Sequence, residues 1–142
     1  MINNGCSASL IDFGSACYLG DRRDIRSGTK GYAAKEQLSE DGETGLYTDV
    51  YAFGRLLHYV LTGDDPYLPP YDKADIREYD GAYSGELAKL VRACIEEDPT
   101  RRPPDMAYVY ERLVNISFVG RHRPWQLFKT SYEGEYIYEK NV

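Results

Sequence analysis

The side chains that could carry chemistry stand in short, widely separated groups. Asp12-Phe13-Gly14 closes a brief apolar run over residues 7–14, and the pattern predicts a strand feeding a turn, with a carboxylate at its end. Alone, such a tripeptide recurs by chance, and a turn aspartate needs no catalytic role. The three cysteines, Cys6, Cys17 and Cys94, are far apart, form no Cys-x-x-Cys pair, and are joined by only two histidines, His58 and His122. That pattern fits a reducing compartment and offers no zinc site. Trp125 lies close to Arg121, His122 and Arg123, which could make a contact surface, although ordinary tail packing is the simpler reading.

Order along the chain carries more than any single motif. Leu10-Ile11-Asp12-Phe13-Gly14 is followed by Gly28-Thr29-Lys30-Gly31-Tyr32-Ala33-Ala34-Lys35-Glu36, then by Asp49-Val50-Tyr51-Ala52-Phe53-Gly54, then by Asp98-Pro99-Thr100-Arg101-Arg102-Pro103. In this order and at these separations, the set resembles the second half of a eukaryotic-like serine/threonine protein kinase domain, over roughly residues 7–113. The resemblance implies a mainly α fold, the C-lobe of a kinase from the Asp-Phe-Gly motif onward, with little β structure. It also implies a division into a partial kinase domain over residues 1–114 and a tyrosine-rich extension of unknown role over 115–142.

The implied roles can be placed residue by residue. Asp12 matches the aspartate that binds magnesium at the nucleotide phosphates in a complete kinase, a task for a carboxylate because magnesium prefers hard oxygen ligands. Phe13 matches the ring whose packing separates active from inactive states, and Gly14 the flexible joint. Residues 15–31 then correspond to the activation loop, where phosphate added to Ser27 or Thr29 could pair with Arg22, Arg23 or Arg26. Thr29 resembles the threonine that helps position the catalytic aspartate, which favours an aliphatic hydroxyl as acceptor. Lys35 departs from the usual Ala-Pro-Glu. Glu36 and Arg102 match a carboxylate and a guanidinium that form a buried structural ion pair, and Asp49 resembles a helix aspartate that accepts backbone hydrogen bonds from the catalytic loop. As a plain first-turn charge, Asp49 would also suit the helix dipole.

Three helices must hold these groups. The clearest is expected over residues 49–62, capped by Thr48 and ended by Gly63, with Val50, Phe53, Leu57, Val60 and Leu61 at helical spacing and apolar residues on other sides as well. A second is expected over 85–97, with Ser84 as cap, a stripe of Leu87, Leu90, Val91, Cys94 and Ile95, and Asp98-Pro99 as its end. A third starts near Pro104 and turns Met106, Val109, Tyr110, Leu113 and Val114 inward. A helical turn is expected around 33–38. Pro66, Pro69 and Pro70 rule out a continuous helix over 64–83. Tyr132, Tyr136, Ile137 and Tyr138 suit a strand or a covering segment equally.

Composition bounds the rest. The chain has 142 residues, a net charge of -6, 42% hydrophobic and 28% charged residues, and 14 tyrosines. It is long enough for one folded domain and short for a two-lobed enzyme. Its acidity argues against a nucleic-acid partner. The longest apolar stretch, residues 50–61, is broken by Arg55 and His58 and is too short to cross a bilayer. No secretory signal is read at the start, so a cytoplasmic location is expected.

The parts a kinase places before Asp-Phe-Gly are a glycine-rich loop, a strand lysine, and a His-Arg-Asp loop with its asparagine. The eleven residues before Asp12 contain no Asp, Glu, His, Lys or Arg. No catalytic residue is therefore expected in this chain. ATP and magnesium belong to the implied complete enzyme, and the isolated chain is expected to transfer no phosphate. Apolar surface around Asp49, Phe53 and Leu57 is expected to lack partners, calling for a missing kinase half, self-association or the tyrosine-rich tail. The competing readings are a kinase remnant serving as a protein-interaction module and an unrelated helical domain.

Overall fold

Local chemistry decides where each helix begins and ends. The computed structural model describes residues 9–19, 28–65 and 75–116. The chain divides into two units, one of residues 15–119 and one of residues 1–14 with 120–142, of which only 9–14 are described. In the larger unit, a short helix α1 (Lys35–Leu38) is followed by α2 (Leu46–Thr62), α3 (Gly85–Cys94) and α4 (Met106–Asn115), with 3₁₀ turns at Ile76–Glu78 and Pro99–Arg101. The described residues contain no strand, and no helix among them is long and apolar enough to cross a membrane.

Helix α2 starts three residues before its expected first residue. Gly45 takes the cap position, and Thr48, expected to be the cap, lies inside the first turn, where its hydroxyl accepts the Gly45 N–H at 3.0 Å. This satisfies one of the backbone donors left over at the helix start. At the other end Gly63 closes the helix in the left-handed region. Helix α3 begins as expected, with Ser84 Oγ accepting the Leu87 N–H at 3.1 Å, but stops at Cys94 rather than Glu97. The physical reason lies in the next turn, where the Glu96 and Glu97 carbonyls accept hydrogen bonds from Arg102. Helix α4 is capped by Asp105, whose carboxylate accepts the Tyr108 N–H at 2.8 Å.

The core forms where α2 packs on α3 and α4. Val50, Leu90, Cys94 and Val109 make its centre, with Phe53, Met106, Leu113 and Ile116 against it. Burial pushes the Cys94 thiol up to about 12, so this cysteine behaves as an apolar filler. Gly54 is required by close approach: a Cβ there would stand 2.5 Å from Cys94 Cβ and 2.8 Å from Ile95 Cγ2. Along α4 the inward stripe runs Met106, Val109, Leu113, Ile116. Tyr110, expected inside, is 55% exposed, and Val114 also faces out, because both lie a helical step away from that stripe.

The strand expected over 7–14 is not formed within the described part, where residues 9–12 have no regular structure and Phe13–Ser15 make a 3₁₀ turn. Asp12 has φ 64, which interrupts any extended run. A strand also needs a neighbour to take its backbone hydrogen bonds, and none is present among the described residues. Ser7, Ala8 and the tail from residue 117, with Trp125 and Tyr132 to Tyr138, lie outside the described residues, as do Pro66, Pro69 and Pro70.

Candidate functional site

The most constructed polar arrangement centres on Glu36 and Arg102. Ala34, itself buried, precedes α1 and donates its N–H to Gln37 Oε1 at 3.1 Å, which directs the following Glu36 inward. Arg102 enters from the loop after the Pro99–Arg101 turn, its side chain fully inaccessible, against 6% exposure for that of Glu36. The two meet as a fork on a carboxylate, Nη1 to Oε1 at 2.5 Å and Nη2 to Oε2 at 3.2 Å. Such bidentate geometry uses the planar guanidinium fully.

The remaining donors and acceptors of the pair are also engaged. Arg102 Nε donates to the Glu96 carbonyl at 2.7 Å, and the guanidinium reaches the carbonyls of Glu97 and Tyr47 at 3.3 and 3.4 Å. Thr48 donates its hydroxyl to Glu36 Oε1 at 3.2 Å. Tyr51 places its ring 4.7 Å from the Arg102 guanidinium carbon, a cation–π contact. One ion pair thus joins α1, the start of α2 and the turn after α3. Lys35, where the resemblance implies a proline, is exposed in the same short helix.

The segment before α1 makes a tight turn. The Thr29 carbonyl accepts the N–H groups of Tyr32 and Ala33 at 3.0 and 2.8 Å, and Gly31 adopts φ 86. Thr29 is exposed. Arg55, buried within α2, donates Nε to the Gly31 carbonyl at 2.8 Å. Asp49 is exposed in the first turn of α2. In the other unit, Asp12 and Phe13 are exposed, Phe13 at 69%, and the Asp12 carboxylate accepts the Gly14 N–H at 3.3 Å. Ser27, Arg22, Arg23 and Arg26 lie outside the described residues.

The structure therefore brings Glu36 and Arg102 together and leaves Thr29 and Asp49 on the surface. Sequence reasoning missed Thr48 and Tyr51 as partners of the pair, and Arg55 as a buried contact. The available signal was the spacing Tyr51, Arg55, His58, Thr62, which sets polar and aromatic residues on one helical face; the first three of them are buried. Among the described residues no three His, Cys, Asp or Glu side chains converge on a possible metal position.

Comparison with known proteins points the same way as the motif order. The chain is 32% identical over 124 residues to serine/threonine-protein kinase D of Synechocystis sp., an alignment covering 78% of this chain and 24% of that protein. It is 30% identical over 124 residues to serine/threonine-protein kinase CG17528 of Drosophila melanogaster, covering 81% and 16%, and 32% identical over 101 residues to serine/threonine-protein kinase PSK2 of Saccharomyces cerevisiae, covering 66% and 9%. The chain spans a quarter or less of the length of these curated relatives. No family model and no solved structure matches it. Over most of its length, then, the chain is similar to a part of proteins named serine/threonine kinases, and its helical described core fits that similarity.

Proposed function

We propose that residues 1–114 are the C-lobe portion of a serine/threonine protein kinase domain and that 115–142 are an extension to it. The observation that carries this reading is the buried fork between Arg102 and Glu36, 66 residues apart in sequence, at the two positions the kinase resemblance assigns to such a pair. Asp12 is then the magnesium ligand of the complete enzyme, Phe13 and Gly14 the start of the activation segment, Ser27 and Thr29 its hydroxyls, and Asp49 an anchor for the catalytic loop. Magnesium with ATP supplies the transferred phosphoryl group in that enzyme. This chain's own residues contribute a carboxylate at Asp12, a fixed segment around Thr29 and the scaffold beneath them. The substrate is a protein serine or threonine, and the enzyme works in the cytoplasm.

The 142 residues contain no His-Arg-Asp loop, so alone they are expected to transfer no phosphate from ATP. Fused behind the nucleotide-binding lobe and catalytic loop of the Synechocystis relative, they are expected to support magnesium-dependent phosphorylation of serine or threonine in a protein substrate. Asp12→Asn is expected to abolish it. A fusion that folds but stays inactive would overturn the reading. The exposed apolar side chains of α2, Leu56 and Val60 among them, favour one alternative, a kinase remnant that binds another protein through this helix. That alternative requires an inactive fusion and a partner lost on charging those positions.

A further inference from the structure

Arg55 is a buried cation that the Glu36–Arg102 pair does not use. It sits midway along α2 on the face shared with Tyr51 and His58, in a stretch otherwise rich in apolar side chains. Taking a guanidinium out of water is costly, and it is retained only where hydrogen bonds replace the lost hydration. One replacement is the 2.8 Å bond from Nε to the Gly31 carbonyl. A bond from a charged donor is stronger than one between neutral groups.

The carbonyl it holds belongs to the turn in which Thr29 accepts the N–H groups of Tyr32 and Ala33. Gly28, Thr29 and Lys30 are exposed, Gly31, Tyr32 and Ala33 are half-buried and Ala34 is buried, so the first half of this turn has little side-chain cover. Gly31 at φ 86 lets its carbonyl point where a residue with a side chain would be strained. Tyr32 lies in the same electrostatic neighbourhood: burial raises its hydroxyl pKa, Asp65 and Tyr59 raise it further, and Arg55 lowers it. Four residues further on, the same segment is held by Arg102 through Glu36.

We propose that Arg55 is a positioning residue whose guanidinium fixes the turn of residues 28–34 against α2, as a second anchor separate from the Glu36–Arg102 pair. The segment carrying Thr29 is thereby tied at two points to the helical core, by arginines from two different elements. That Thr29 serves a catalytic aspartate rests on the kinase reading; the anchoring does not.

Residue-resolved hydrogen exchange on the full 142-residue chain tests it. Arg55→Met keeps the aliphatic stem and removes every donor, while Arg55→Lys keeps one cationic donor. In Arg55→Met the Tyr32 and Ala33 amides should exchange about tenfold faster or more, as expected for losing a charged hydrogen bond. Amides of α3 and α4 should be unchanged, and Arg55→Lys should fall between. Unchanged exchange at Tyr32 and Ala33, or equal acceleration throughout α3 and α4, overturns the proposal. If Arg55→Met does not fold, Arg55→Lys decides by the same criterion, selective acceleration against none or uniform. An inactive fusion enzyme alongside selective acceleration would remove the kinase reading and leave the anchor standing.

Discussion

Glu36 and Arg102 cost more to separate than to replace. With the fork gone, a carboxylate would stay buried beside the Thr48 hydroxyl with its charge uncompensated, so Arg102→Ala is expected to destabilise the chain by roughly 3–5 kcal/mol. The double change Glu36→Leu with Arg102→Met removes both charges and keeps apolar volume. It should cost clearly less than the sum of Glu36→Leu and Arg102→Met alone, because partners in contact are not additive. Urea unfolding midpoints measure all of these, and strict additivity would show that the pair is not a coupled unit. The types at these two positions are visible in the sequence, but nothing in their spacing joins them; only the order of the kinase-like motifs does. Arg55 was illegible for a different reason. An arginine inside an apolar helix reads as an outward interruption, and only the turn around Gly31 supplies the carbonyl that makes burial tolerable.

At the scale of elements, the contact between α2 and α3 turns on Gly54. Alanine is the better helix former by about 1 kcal/mol, so propensity alone favours Gly54→Ala. Its methyl group, however, would meet Cys94 Cβ at 2.5 Å and Ile95 Cγ2 at 2.8 Å, and both sit in the packed core. Overpacking of this kind costs about 1–3 kcal/mol, so the net outcome is expected to be a lower thermal midpoint, and an unchanged or raised midpoint would show that α3 can yield. Helix periodicity and local caps made α3 and the end of α2 legible, since Ser84 and Gly63 act through their immediate neighbours. The end of α3 was not, because Arg102 takes the Glu96 and Glu97 carbonyls from several residues away. The expected strand is absent over the described residues 9–14 for a related reason: apolar character permits extension, but pairing requires a second strand that the run itself does not contain.

At the scale of the whole molecule, the apolar surface expected around Phe53 and Leu57 is shifted by one helical step. Leu57 is buried, Phe53 is half-buried, and the outward positions are Leu46, Leu56 at 47% and Val60 at 66%, with Tyr59 beside them. Leu46, Leu56 and Val60, all exposed, lie in one row at heptad spacing with Asp49, while Phe53 in that row packs against the core. The sequence could show that α2 is apolar on several sides, but which side the core takes depends on where α3 and α4 pack, and their Leu90, Cys94 and Val109 meet Val50. A free stripe of this kind favours association, while the net charge of -6 on every copy opposes it. Repulsion between exposed charges is screened beyond about 8 Å at physiological salt, whereas apolar burial is not weakened by it. The isolated chain is therefore expected to self-associate, more strongly as salt rises from low to physiological concentration, and Leu56→Glu with Val60→Glu should leave it monomeric. Sedimentation across protein and salt concentrations reads this directly. A chain that stays monomeric throughout, or one whose association weakens with salt, would mean that the stripe does not drive it.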